Sequence, residues 1–215
     1  MAAQHEPVKL SRRHLTLAGA ALLLGGKWTA SRSINTRRPA LLPDPGLLAP
    51  GDWFFRRTNS IPGLLSHQAD PDSTFSHVGI VSRSPDGWMV VHATPADETG
   101  AGGVRADPVH LFAEHLSVSA IAVARYINAT STQRQKMAAA ARGFIGRPFD
   151  GLFDSEDESE LYCTELVWRA ATAAGISLNR PLRPLTTLFG SRTVISLTAL
   201  TQQPGLEWLL REGAP

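Results

Sequence analysis

The only cysteine in the chain, Cys163, is the residue best suited to nucleophilic chemistry. A single cysteine excludes an internal disulfide and any zinc site built from paired cysteines. Cys163 opens a predicted helix in which Leu166, Val167 and Ala170 share its face, so we expect the sulfur to point towards the core. The helix dipole and backbone N–H groups at a helix start favour a thiolate, which predicts a nucleophile with a pKa below about 8.5. The alternative is a buried thiol that packs as a small apolar side chain.

Two histidines, His77 and His92, lie where the strands of a predicted hairpin can bring them together. The strands span 77–82 and 88–92, and Pro85-Asp86-Gly87 between them is a strong turn signal. Pairing around this turn joins residues whose numbers add up to about 169 to 172, and the two histidines satisfy that condition. We therefore expect them to be cross-strand neighbours on one face, with Cβ atoms about 5 Å apart if directly opposite.

A thiol and two imidazoles can supply a nucleophile, a base and a residue that orients the base. The same three groups, Cys163, His77 and His92, could instead form a zinc site with one open position. The HExxH and CxxC spacings that make zinc sites recognisable are missing from the sequence, so a thiol hydrolase without a metal or cofactor is favoured. A further alternative is that both histidines are structural residues at strand edges.

The elements that must position these residues are strands first and helices afterwards. Short apolar or alternating segments predict strands at 52–56, 77–82, 88–92 and 118–126, and residues 100–103 predict a turn. A capping box at Thr132–Gln135 predicts a helix to Arg142 that Gly143 ends, and a second helix runs from about 163 to Ala174. Antiparallel strands followed by segregated helices predict an α+β domain.

The first 30 residues are typical of an export signal. Arg12 and Arg13 precede an uncharged apolar run over 15–26, which has the length of a signal-peptide core and is too short to span a bilayer comfortably. The arginine pair predicts a twin-arginine signal, with an uncertain cleavage site near Ala30, and hence a location in the periplasm or cell envelope. Residues 31–50 are a proline-rich linker on the surface, and 51–215 form one domain.

The basic composition belongs to this leader. Seven of the 21 Lys and Arg residues but only one of the 19 acids precede residue 39, so the remaining 14 basic and 18 acidic residues give the body a net charge of −4. A negative body without a basic-aromatic face disfavours nucleic-acid binding. Six acids at 150–160 predict a solvated loop, or alternatively a rim that selects cationic substrates or a divalent ion. Glu165 in the first turn of the second helix is expected to be structural.

Five sequence blocks resemble the circularly permuted, papain-like NlpC-type cysteine hydrolases of the YiiX/YebB kind. They are Gly51-Asp52-Trp53-Phe54-Phe55, Ser76-His77-Val78-Gly79-Ile80-Val81, Val90-Val91-His92-Ala93, Gly146-Arg147-Pro148-Phe149-Asp150 and Tyr162-Cys163-Thr164-Glu165-Leu166-Val167. The resemblance covers about residues 50–190, with the strand histidine before the helix cysteine as in that family. Phe149 departs from the tyrosine that is common there, and 154–160 resembles an insertion.

The resemblance implies a permuted papain-like fold and a hydrolase that cleaves amide bonds through a thioester. It assigns Cys163 as the nucleophile, His77 as the general base and His92 as the third, orienting residue. Together with export, it implies peptidoglycan stem peptides as the substrate. The alternatives are an acyl-lipid or N-acyl amide substrate, and a cell-envelope binding module with a disabled site.

Overall fold

The structure is a computed structural model that describes residues 42–60, 63, 66, 70–96, 100–114, 117–154, 156–179, 182–187 and 190–213. Its strands are β1 Trp53–Thr58, β2 His77–Ser84, β3 Gly87–Thr94, β4 Gly103–Pro108, β5 Val118–Tyr126, β6 Leu182–Thr187, β7 Gly190–Ile195 and β8 Leu206–Glu212. The helices in these ranges are α1 Val109–Glu114, α2 Ser131–Gly143, α3 Cys163–Ala173 and α4 Leu197–Thr201. This mixture of antiparallel strands and helices confirms the α+β class.

The predicted leader falls outside the described residues, as do most of residues 61–69 in the polar segment after β1. The export signal and its cleavage site therefore stay predictions. Within the described ranges, every helix is too short or too polar to cross a membrane.

Six strands form one antiparallel sheet in the order β4-β3-β2-β1-β5-β8, and β6 pairs with β7 in a separate hairpin. The predicted hairpin of β2 and β3 is confirmed. Strand β1 lies in the interior of the sheet, where Trp53 pairs with Ile80 on one side and with Ala124 on the other. A strand covered on both faces needs a continuous apolar run, which explains Trp53-Phe54-Phe55.

The two faces of the large sheet carry separate apolar clusters. Trp53 and Val78 belong to the cluster on the helix face, where α2 and α3 pack. Phe54 and Val81 belong to the cluster on the opposite face, which we call the α1 face because Phe112 of α1 is buried there. Consecutive residues thus alternate between the faces, as the pleat of a strand requires.

Helix α2 begins two residues earlier than its sequence indicates. Thr130 is the N-cap: its hydroxyl accepts the N–H of Gln133 at 3.2 Å, and the Gln133 side chain accepts the N–H of Thr130 at 3.0 Å. The capping box predicted at Thr132 was therefore wrong in position, although its type is confirmed. Gly143 is the last helical residue and Phe144 is the C-cap.

The end of the predicted linker is part of the domain. Leu48 is buried in the cluster on the α1 face, and the Leu47 carbonyl accepts a hydrogen bond from Arg125 at 2.8 Å. Arg125 also holds the buried Asp52 carboxylate through two 2.8 Å contacts. The expectation of a surface linker fails here because these contacts join the segment before β1 to β5.

Candidate active site

Charged and polar side chains from four adjacent strands meet on the α1 face. Arg56 of β1 pairs across the sheet with His77 of β2, and His92 of β3 pairs with Arg105 of β4. The Nε2 atom of His77 lies 2.8 Å from Nδ1 of His92, and Nε2 of His92 lies 3.0 Å from Oδ2 of Asp107. Arg105 donates from Nε to the same Asp107 oxygen at 3.2 Å. We call these five residues the polar row.

The two histidines meet diagonally rather than directly opposite each other. Strands β2 and β3 pair Ile80 with Val91, and continuing that register sets His92 beside Gly79, two residues from His77. The prediction that the two histidines are near cross-strand neighbours on one face is confirmed, and the register offsets them by two residues. A Cβ atom on Gly79 would lie 3.0 Å from the Cβ of His92 and 2.8 Å from the Val91 carbonyl oxygen. The glycine therefore makes room for the second imidazole.

Phe112 of α1 covers this part of the sheet. Its ring centroid lies 5.7 Å from that of His77 and 5.1 Å from that of His92, and the Arg56 guanidinium stacks 4.3 Å from it. Arg56 also donates to the Phe112 carbonyl at 3.1 Å. The aromatic cover and the buried position of Arg56 keep water away from the imidazoles.

Both imidazoles are neutral at neutral pH. Burial, followed by the positive charge of Arg56, holds the pKa of His77 well below its ordinary value. Burial also lowers the pKa of His92, although its hydrogen bond to Asp107 acts in the opposite direction. Two neutral rings in contact can each offer one N–H and one lone pair, which is the state a proton acceptor requires.

Cys163 lies at the start of α3, as predicted, and beside the strand that carries His77. The backbone N–H groups of Val78, Thr164 and Cys163 itself lie close enough to the sulfur to favour its thiolate form and so lower the pKa of Cys163. Tyr162 and Thr164 fix the helix start from both sides: the Tyr162 hydroxyl accepts the N–H of Ile195 at 3.2 Å, and the Thr164 hydroxyl donates to the Ile195 carbonyl at 2.5 Å. The Tyr-Cys-Thr sequence therefore anchors the thiol to the end of β7.

The thiol is not activated in the resting site. Burial raises the pKa of Cys163 from 9.0 to about 11, and the three backbone hydrogen bonds and the charge of Arg56 lower it by less. The expectation of a pKa below 8.5 was therefore wrong, because desolvation outweighs the helix start. The resting site pairs a neutral thiol with neutral imidazoles.

Alkylation of this single thiol should accordingly be slow at neutral pH. We expect iodoacetamide to label folded Cys163 about a hundredfold more slowly at pH 7 than the guanidinium-unfolded chain, with the rate still rising above pH 9. The rate follows from mass spectrometry of samples quenched between pH 6 and 11. Labelling of the folded protein with an apparent pKa below 8.5 would contradict the burial effect.

Among the described residues, the acidic segment before Cys163 contacts α3 through Arg169. Glu165, buried in the first turn, contacts Arg169 at 2.7 Å, and Arg169 contacts the exposed Glu158 at 2.8 Å. Glu156 and Asp157 are exposed, which agrees with a solvated loop, whereas Asp150 is buried. Arg169 thus connects the loop to the helix, and Glu165 holds the Arg169 guanidinium from within the helix.

The arrangement does not fit a metal site. In the parts of the chain that the structure describes, no three side chains of His, Cys, Asp or Glu form a group that could hold an ion. His77 and His92 direct nitrogens at each other at hydrogen-bonding distance, and the remaining nitrogen of His92 faces Asp107. The zinc alternative therefore lacks a common point to which its three donors could bind.

Sequence reasoning missed Asp107, Arg105 and Arg56. The predicted turn at 100–103 includes only the first residue of β4, and no element was predicted over 104–108, although Arg105 and Asp107 alternate along it as residues of one strand face do. That alternation was the available signal for the acidic partner of His92. Arg56 stood inside a predicted strand, and nothing in its local sequence indicated that its charge would be buried beside two histidines.

Two comparisons with known proteins bear on this site. Residues 48–189 match the model of the family described as permuted papain-like amidase enzyme, YaeF/YiiX, C92 family. Among solved structures, the crystal structure of metalloprotein YiiX from Escherichia coli O157:H7 is similar with a TM-score of 0.63 and 21% identity, covering 76% of this chain and 97% of that one. No curated protein sequence matches the chain significantly.

Proposed function

We propose, since the chain belongs to the permuted papain-like amidase family, that it hydrolyses amide bonds with Cys163 as nucleophile and His77 as general base. The observation that carries the proposal is the 2.8 Å contact of His77 with His92 beside the start of α3. His77 is the first residue of β2, and the N–H of the next residue, Val78, lies close to the Cys163 sulfur. A neutral base at the start of β2 and a thiol at the start of the helix beside that strand are the parts that thioester chemistry needs.

The reaction begins with proton transfer, because the resting thiol is neutral. His77 takes the proton from Cys163 as the sulfur attacks the amide carbonyl, and the carbonyl electron pair moves to oxygen. The imidazolium then gives its proton to the leaving amine as the C–N bond breaks, which leaves an acyl thioester. Water, deprotonated by His77, releases the carboxylic acid and restores the thiol.

The helix start supplies the groups that stabilise the intermediate. The backbone N–H of Cys163 is the natural donor to the oxyanion, because it is a free donor position at the start of α3. Loss of one such donor typically costs about 10²- to 10³-fold in rate. The Ile195 anchors of Tyr162 and Thr164 hold this donor in place.

Peptidoglycan stem peptides are the substrate that we propose. Membership of an amidase family and the predicted export signal support a cell-wall substrate. The test incubates wild type and Cys163→Ala with purified muropeptides and, in parallel, with N-acyl amides and acyl lipids, and reads product masses. Cleavage of muropeptides by wild type alone is expected. Cleavage of N-acyl amides or acyl lipids but not of muropeptides would show that the proposed substrate is wrong. Equal binding of wall fragments by both proteins, without turnover, would indicate a binding module.

As the orienting residue, His92 is expected to contribute less to turnover than Cys163 and His77, so its replacement should have a smaller effect on kcat/KM. His92→Gln keeps an oxygen that can accept from His77, so we expect turnover to fall about tenfold, the value of one hydrogen bond. His92→Leu removes that acceptor and should reduce turnover further. The measurement is kcat/KM for both variants. A loss in His92→Gln as complete as in Cys163→Ala would make His92 the base instead.

The predicted leader gives a separate test of export. Replacing Arg12 and Arg13 by lysine should retain the precursor in the cytoplasm, because a twin-arginine receptor recognises the guanidinium pair. The matched control replaces Arg37 and Arg38, the second arginine pair, by lysine and should leave export unchanged. Cell fractionation with an antibody against the domain measures both. Normal export of the Arg12/Arg13 variant would point to the general secretory route.

A further inference from the structure

We infer that Asp107 is a positioning residue that sets the tautomers of both histidines, so that His77 presents the lone pair of Nδ1 as the base. The inference rests on the proposed function, since it names which ring nitrogen takes the thiol proton. It starts from three contacts along the polar row: His77 to His92 at 2.8 Å, His92 to Asp107 at 3.0 Å and Arg105 to Asp107 at 3.2 Å.

The direction of every hydrogen bond follows from the carboxylate. Although partial burial works against it, the hydrogen bond from His92 and the charge of Arg105 hold the pKa of Asp107 below its ordinary value, so it only accepts. The Nε2 atom of His92 must therefore donate to Asp107, and in a neutral ring its Nδ1 is then a lone pair. That lone pair accepts the Nε2–H of His77, which leaves Nδ1 of His77 unprotonated.

Without the Asp107 carboxylate, nothing fixes which nitrogen of each imidazole carries the proton. A neutral His92 could carry its proton on Nδ1 and donate to Nε2 of His77, which would place the His77 proton on Nδ1 and block the base. Arg105 prevents rotation of the carboxylate because it holds the oxygen that His92 contacts. Asp107 thus acts through His92 and has no direct contact with the proposed base.

The charge of Asp107 has a second consequence, because it opposes the cations around the histidines. Arg56 and Arg105 lower the pKa of both imidazoles, and Asp107 raises that of His92. A base works only when deprotonated, so the acidic limb of the pH profile follows the apparent pKa of the histidine pair. Removing the carboxylate lowers this pKa, and the limb should move to lower pH. The charged and titratable groups of the site on its several elements are Arg56, His77, His92, Arg105, Asp107 and Cys163.

Two variants separate the effect of the hydrogen-bond acceptor at residue 107 from the effect of its negative charge. Asp107→Leu removes both, whereas Asp107→Asn keeps an oxygen that can accept from His92 and Arg105. The matched control is Asp86→Asn in the exposed β2–β3 turn. Asp107 is partly exposed, with 24% of its side chain accessible, so leucine can be accommodated without a buried polar group being created at that position.

We expect kcat/KM to fall about 10²- to 10⁴-fold in Asp107→Leu, the range for loss of a carboxylate that fixes an imidazole tautomer. Asp107→Asn should lose less, because Arg105 donates to the oxygen that faces His92 and so keeps the amide oxygen, and not the NH2 group, towards the ring. The acidic limb should move to lower pH by about one unit in both. Asp86→Asn should match wild type in rate and profile. An unchanged limb in both Asp107 variants would overturn the inference.

Nitrogen NMR of the labelled histidine rings tests the tautomers without any substrate. In wild type both rings should carry their proton on Nε2, and Asp107→Leu should show a mixture. A wild-type His77 that carries its proton on Nδ1 would overturn the inference, as would tautomers that are the same in wild type and Asp107→Leu. If no amide is cleaved by wild type, the proposed function fails, and the ring signals still decide the role of Asp107.

Discussion

Replacing His77 by alanine is expected to lower turnover as far as replacing Cys163 by alanine. His77 is the proposed acceptor of the thiol proton, and the raised pKa of Cys163 means that almost no thiolate exists without that acceptor. General-base catalysis typically contributes 10²- to 10⁴-fold, and we expect a loss of about 10⁴-fold because the resting thiol is neutral. Steady-state kinetics on the substrate that the product-mass assay identifies measures both variants.

The control for this experiment is His110→Ala, an exposed histidine on α1 outside the polar row. It should retain wild-type turnover, and circular dichroism should show that all three variants are folded. Substantial activity in His77→Ala would overturn the base assignment. Stoichiometric zinc in the purified wild type, together with inactivation by a chelator, would overturn the thiol mechanism in favour of the metal alternative.

A methyl group at Gly79 should damage both stability and activity. The added Cβ would lie 2.5 Å from Cγ1 of Val90 and 2.8 Å from the Val91 carbonyl oxygen, contacts that require β2 and β3 to separate. Overpacking of this kind costs about 2–3 kcal/mol, so the melting temperature of Gly79→Ala should fall by about 5–10 °C. Turnover should also fall, because the displaced Cβ of His92 alters the contact with His77.

Gly143→Ala is the matched control for Gly79→Ala. Its added Cβ has no neighbour within 4 Å, and its place in the last turn of α2 suits alanine. It should leave the melting temperature unchanged or slightly higher. A Gly79→Ala protein that melts and turns over like wild type would show that the two strands can yield at this point, and the close fit of His92 would then lack functional meaning.

Local patterns in the sequence predicted the parts of the fold that depend on neighbours along the chain. The turn at Pro85-Asp86-Gly87 located the hairpin, and the apolar spacing after Cys163 located α3. Both comparisons confirm the permuted papain-like fold indicated by the motifs. Strand β4 and the β6–β7 hairpin were missed because short, mixed sequences such as Leu182–Thr187 become strands through pairing, which leaves no clear local signal.

The candidate site was predictable only in its residue types. The hairpin brought His77 and His92 to one face, but whether they meet directly or diagonally depends on a register that the turn alone does not fix. The acidic partner of His92 lies on β4, whose place next to β3 comes from pairing. Whether the pKa of Cys163 is raised or lowered depends on how far the folded domain shields the sulfur from water. The position of Cys163 at a helix start, which the sequence shows, carries no information about that shielding.

The raised pKa of the Cys163 thiol has a consequence for the chemical lifetime of the protein. Oxidation by peroxide proceeds through the thiolate, so a pKa of about 11 instead of 9.0 lowers the reactive fraction at neutral pH about a hundredfold. A thiol without a second cysteine in the chain cannot be rescued by an internal disulfide once its sulfur is oxidised. In the proposed reaction the proton stays on the sulfur until an amide arrives, which preserves the protein between turnovers. Oxidative damage would then occur mainly in the moments when His77 has taken that proton.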